Sequence, residues 1–128
     1  MRRSVAAVGR ASVGQVWERY AVLADWSSWS PPIRRVEASG ARLVAGLTGV
    51  VHGPPGVRIP FVVDAVDEVA HTWSWHVSVG VLRVDLEHEV LATSAGGSAA
   101  TLVVDGPLPV ALLYPEVARI ALTRLVAG

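Results

Sequence analysis

The sequence predicts an α+β domain in which about seven antiparallel strands form one sheet wrapped around a long C-terminal helix. Three observations predict it. Apolar residues recur at helical spacing from Val13 and again from about Val110. Between these stretches lie six β-branched segments. The turns joining those segments are too short for the crossovers that parallel strands need. The 128 residues are the length of one domain, read as spanning 1–128.

Ser4 to Val8 is a short apolar run that reads as the first strand. Ser12 with Gln15 three residues later forms a capping box, which opens a helix. Its inward set is Val13, Val16, Trp17, Tyr20 and Leu23, carrying the helix to about Ala24. DWSSWSPP (25–32) follows, and Pro31 and Pro32 forbid continuation. The expected strands are then Ile33–Ala38, Arg42–Val51, Val57–Val69, Thr72–Val79, Val81–Ala92 and Ala99–Asp105. Turns at Ser39-Gly40, His52 to Gly56, Gly80 and Ala95 to Gly97 separate them.

Alternation is clearest in residues 82–90. Leu82, Val84, Leu86, His88 and Val90 share one face, whereas Arg83, Asp85, Glu87 and Glu89 share the other. The charged face must be solvated, so the first looks inward. The same reasoning turns Trp73, Trp75, Val77 and Val79 inward. In the last helix Ala111, Tyr114, Ala118, Ala121, Leu122 and Leu125 form the apolar face. Half of these are alanine, so the helix either lies close to the sheet or leaves a void beside it.

Composition excludes several chemistries. There is no Cys, hence no disulfide scaffold, thiol nucleophile or Cys-ligated zinc. All eleven basic residues are Arg, so a Schiff-base or P-loop lysine is ruled out. They balance eleven acids, and no basic stripe argues for nucleic acid. The N-terminal apolar run is too short for a signal peptide and the C-terminal stretch carries charges, so the expectation is a cytoplasmic protein without membrane insertion. No nucleophile elbow, Walker or dinucleotide glycine pattern occurs, and no cofactor is expected.

Several segments agree with a known family. VWERYAVLADWSSWSP (16–31), GLTGVVHGPPGVRIPFVVDAVDEVAHTWSW (46–75), DLEHEV (85–90) with Gly96-Gly97, and GPLP (106–109) give a sequence that resembles the START-like (SRPBCC) superfamily. Within it, the chain is similar to small bacterial polyketide cyclase/dehydrase proteins. The resemblance implies the helix-grip (START/Bet v 1-like) fold, with a deep apolar cavity between sheet and last helix. It also implies a small hydrophobic ligand, polyketide- or lipid-like, as partner.

On that expectation the wall comprises Trp26, Phe61, Trp73, Trp75, Val84, Leu86, His88, Tyr114 and Ala118, with Arg58 near the mouth to hold an acidic head group. A merely solvated Arg58 is the plain alternative. Trp29 reads as a structural plug. His88, inward on an apolar strand, can hydrogen-bond a ligand carbonyl or serve as a base near neutral pH. A core histidine bonded to the backbone is the other reading. His52 is placed beside the cavity mouth or in an exposed loop. His71 and His76, on opposite faces of a strand, cannot share a metal, and no metal site is expected. No pair of carboxylates converges, since Asp85, Glu87 and Glu89 face outward and Asp64, Asp67 and Glu68 read as a solvated edge. Three functions stay open: binding of a hydrophobic molecule, a cyclase or dehydratase using His88 as base, and a homodimeric interaction module.

Overall fold

Helix α1 (Val13–Ala21) begins at the capping box: the Ser12 hydroxyl accepts the Gln15 amide at 3.2 Å, and the Gln15 side chain accepts the Ser12 amide at 2.9 Å. The computed structural model describes residues 1–54 and 56–128, and the side chains of these apart from 108–113. Strand β1 (Arg2–Gly9) precedes α1. After it come a 3-10 turn (Leu23–Asp25), the one-turn helix α2 (Trp26–Trp29) and six strands. These are β2 (Arg35–Ala38), β3 (Thr48–Gly53), β4 (Val57–Asp67), β5 (Thr72–Val79), β6 (Leu82–Ala92) and β7 (Ser98–Asp105). Helix α3 (Leu108–Leu125) closes the chain. Among the described residues, no helix is long and apolar enough to cross a membrane.

All seven strands form one antiparallel sheet, in the order β1-β7-β6-β5-β4-β3-β2. The short turns of the sequence thus become hairpins between neighbours, and the first strand joins the last. A bulge between Val63 and Ala65 bends β4 against β5. The concave face holds the core, where α1 supplies Val16, Trp17 and Tyr20 and α3 supplies Leu122 and Leu125.

Three expectations about elements need correction. Residues 25–32 do more than end a helix, because Trp26–Trp29 form a helical turn of their own. The strand expected over 42–51 starts only at Thr48; Gly46 before it takes a φ of +87°, which breaks the regular extended geometry although its amide still donates to the Val63 carbonyl of β4 at 2.8 Å. Before it, Leu43 donates to the Ala21 carbonyl instead of to a strand. His71 is a turn residue with φ +56°, stabilised by Asp67 accepting the Val69 and Ala70 amides, and therefore is not on a strand face at all. The expected inward position of Ala111, and Pro55 of the Gly53–Gly56 loop, lie outside the described residues.

Helix α3 lies across β1 and β7, and one close approach fixes its end. A side-chain carbon on Gly9 would come within 2.0 Å of the Val126 carbonyl oxygen, the same oxygen that accepts the Ala11 amide at 3.1 Å. From the other side, Arg19 donates to the carbonyls of Leu125 and Ala127 at 2.6 and 2.8 Å, a cation at a helix C-terminus. A Gly9→Ala substitution should push α3 off the sheet and destabilise the fold by about 1–3 kcal/mol. Urea denaturation will read this as a lowered midpoint; an unchanged midpoint would show that the contact does not position the helix.

Candidate functional site

The site begins with the end of α1. The last four carbonyls of a helix lack intrahelical partners and must find them elsewhere. Here Glu18 accepts the Val22 amide and Ala21 accepts the Leu43 amide. The two between are taken by indoles: Trp29 Nε1 donates to the Arg19 carbonyl at 3.0 Å, and Trp26 Nε1 donates to the Tyr20 carbonyl at 2.8 Å. Each tryptophan of DWSSWSPP therefore spends its only polar group on α1 and turns its hydrocarbon surface toward the space between sheet and α3.

That space is a cavity of about 380 Å³. The loop side contributes Trp26, Trp29, Ser30 and Ile33; β3 and β4 contribute Val51, Val57 and Ile59. Strands β5 and β6 add Trp73, Trp75, Val84, Leu86 and His88. Helix α3 adds Tyr114, Val117, Ala118 and Ala121. The alanine face of the last helix thus leaves a void. No Asp, Glu, Arg or Lys lies on the described wall.

Of the residues expected at the site, the structure brings together Trp26, Trp73, Trp75, Val84, Leu86, His88, Tyr114 and Ala118. Two lie elsewhere. Strand alternation that turns Val57 and Ile59 to the cavity turns Arg58 to the outer face, opposite His52. Phe61 is buried beneath the wall, its ring 5.3 Å from Trp75 and 5.9 Å from Trp26. Trp29 lines the cavity as well as plugging the loop. Val51, Val57, Ile59 and Val117 belong to the wall but were missed, although the alternation in 57–61 carried the signal for two of them.

Among the described residues of the wall, His88 is the only ionisable group besides the Tyr114 phenol, and both its nitrogens are engaged. Its ring stacks on Trp73 at 4.3 Å with planes 6° apart. Trp75 Nε1 donates to His88 Nε2 at 3.0 Å, and Nδ1 lies 3.0 Å from the Tyr20 hydroxyl. An indole can only donate, so Nε2 must be the unprotonated nitrogen and Nδ1–H donates to Tyr20. Burial lowers the imidazole's pKa from 6.5 to about 3 and raises that of the Tyr20 phenol. The backbone partner considered for a core histidine is replaced by two side chains. The Nε2 lone pair, which a general base would use, is occupied by Trp75.

The remaining histidines stand outside the cavity. His52 is on β3, not in a loop, with Nε2 3.0 Å from Glu37 Oε1. His71 packs its ring at 5.3 Å against Trp17. His76 is on the outer face of β5, where the bulge brings Asp64 within 2.9 Å of its Nδ1. With Asp85 these make a group whose ligand atoms lie within 4.8 Å of one another, which the expectation of a solvated edge overlooked. Arg83 already pairs with Asp85 at 2.9 Å.

Over residues 3–127 the sequence matches the family described as polyketide cyclase / dehydrase and lipid transport. The chain belongs to this family. Its fold recurs in a protein from Nitrosospira multiformis, with a TM-score of 0.82 at 16% identity, covering 98% of this chain and 94% of the other. XoxI from Bacillus cereus aligns with a TM-score of 0.81 at 15% identity over 98% and 92%. Ara h 8.0201 aligns with a TM-score of 0.75 at 15% identity over 98% and 94%. At such identities the likeness is one of fold, and it is the helix-grip fold of Bet v 1-like proteins. No curated protein matches the sequence.

The His88 geometry predicts a pH dependence. Between pH 6.5 and about 3 the unfolded chain binds a proton at this residue that the folded chain does not. Its contribution to stability is thus complete above pH 6.5 and declines as the pH falls. A His88→Gln variant, able to accept from Trp75 and donate to Tyr20 without titrating, should lose stability more gently than the wild type. The difference in slope is at most about 1.4 kcal/mol per pH unit. His88→Leu leaves both partners unpaired and should cost about 2–4 kcal/mol at neutral pH. Urea melts from pH 7 to 4 check both; parallel curves for wild type and His88→Gln would contradict the assignment.

Proposed function

We propose that the protein binds a small hydrophobic molecule, lipid- or polyketide-like, in the cavity between the sheet and α3. The observation that carries this reading is the cavity itself. At about 380 Å³ it exceeds the roughly 300 Å³ at which ligand pockets begin. Its wall is apolar and rich in indole, which suits a ligand driven in by loss of hydrated surface. Family membership and the helix-grip fold agree with it.

Binding is favoured over the cyclase or dehydratase alternative by the state of His88. A base near neutral pH needs a free lone pair within reach of substrate. The His88 lone pair is held by Trp75, and the ring stays neutral down to about pH 3. No carboxylate on the described wall takes its place.

Filling the cavity tests the reading. Ala118 and Ala121 face it from α3, so Ala118→Leu or Ala121→Leu places three more carbons inside. Each should weaken binding of a neutral phenylnaphthylamine probe at least about ten-fold, as a few kcal/mol of burial would require, while leaving the urea midpoint unchanged or raised. Native mass spectrometry of the purified wild type gives the companion measurement. Probe binding undiminished in both variants would defeat the proposal.

A further inference from the structure

The polar groups of the wall are nearly all committed to the protein. The indole N–H groups of Trp26 and Trp29 end on α1 carbonyls, and that of Trp75 ends on His88. Trp73 Nε1 is buried without a partner among the described residues. His88 uses both nitrogens, one with Trp75 and one with Tyr20. What faces a guest is hydrocarbon and two hydroxyl-bearing residues, Ser30 from the loop and Tyr114 from α3.

The charge around the cavity points away from it. Arg58 lies on the outer face of β4, and His52 across from it has its Nε2 3.0 Å from Glu37 Oε1. Arg19, next to the α1 end that holds Trp29, is bound to the carbonyls of Leu125 and Ala127. On α3, Glu116 and Arg119 are exposed. Among the described residues, strands β3, β4 and β5 present no ionisable side chain to the cavity, β6 presents only the neutral His88, and α3 only the Tyr114 phenol. Of the lining residues, Val57, Tyr114 and Val117 are 45%, 38% and 48% exposed and form the mouth. A carboxylate drawn below them would lose its water and meet no cation, which is the situation that forces a buried acid to take up a proton instead.

We infer that the cavity takes an uncharged, largely apolar molecule bearing a hydroxyl or carbonyl oxygen, and rejects the carboxylate of the same skeleton. This rests on the binding reading above and narrows it: alcohols, ketones, esters and neutral polyketide-like rings are admitted, whereas fatty-acid anions are not. Ser30 and Tyr114 supply the hydrogen bonds that orient the oxygen.

The experiment compares decanol with decanoate on the full chain, followed by the fluorescence of the wall tryptophans or by calorimetry. At pH 7 decanoate should bind about 100- to 1,000-fold more weakly, the penalty for protonating a carboxyl of ordinary pKa near 4.3. Its apparent affinity should rise about ten-fold for each unit the pH falls toward 5.5, while that of decanol stays level. Ile59→Arg, which puts a guanidinium on the wall, should narrow the gap between the two probes by about ten-fold or more. Decanoate binding within a few-fold of decanol at pH 7 would overturn the charge rule and leave the binding reading intact. Binding of neither probe would defeat the binding reading, and the charge rule with it.

Discussion

The four unpartnered carbonyls at the end of α1 are the constraint around which the cavity is built. Two could be met by backbone amides, and the remaining two are met by the indoles of Trp26 and Trp29. An indole bonded through its single donor cannot rotate away without exposing a buried carbonyl. The two rings are therefore held at one end of the cavity whether or not anything fills it. From them the aromatic contacts run inward: Trp26 meets Trp75 at 5.2 Å and Trp73 at 5.7 Å, and Tyr20 meets Trp29 at 5.5 Å. The turn that stops the helix also founds the wall.

The second fixed point is the chain Trp75–His88–Tyr20. It ties β5 and β6 to α1, residues far apart in sequence, through hydrogen bonds made inside an apolar core. Such bonds are strong where the dielectric is low, and each partner is costly to leave unpaired. Histidine serves here because one ring both accepts and donates in fixed directions. That makes His88 a positioner of the aromatic wall. The same commitments occupy both of its nitrogens, one with Trp75 and one with Tyr20.

The fold was largely legible because each signal was local. The capping box of Ser12, the alternation in Leu82–Val90 and the alanine stripe of the last helix each depend on neighbours within a few residues. The inward face of β6 followed from the need to solvate Arg83, Asp85, Glu87 and Glu89. What could not be read were interactions whose partners lie elsewhere in the chain. Nothing near Trp29 says that its N–H will meet Arg19 of the preceding helix. Nothing near His88 names Tyr20. Arg58 is a different case: alternation with Val57 and Ile59 already turns it outward, away from the mouth where the sequence reading expects it. Phe61 obeyed its parity but was spent on packing beneath the wall, a distinction that only the third dimension makes.

The wall consequently has two kinds of residue with different freedom to change through descent. Trp26, Trp29, Trp75 and His88 each hold a hydrogen bond on which another element depends, so replacing one disturbs the scaffold before it alters the cavity. Ile33, Val51, Val57, Ile59 and Val117 only pack, and can exchange methyl groups at small cost. Natural variants should therefore reshape the β3–β4 and α3 flanks and keep the indole flank constant. Selection for a new guest would act along one side of a mould whose other side is locked by the needs of folding.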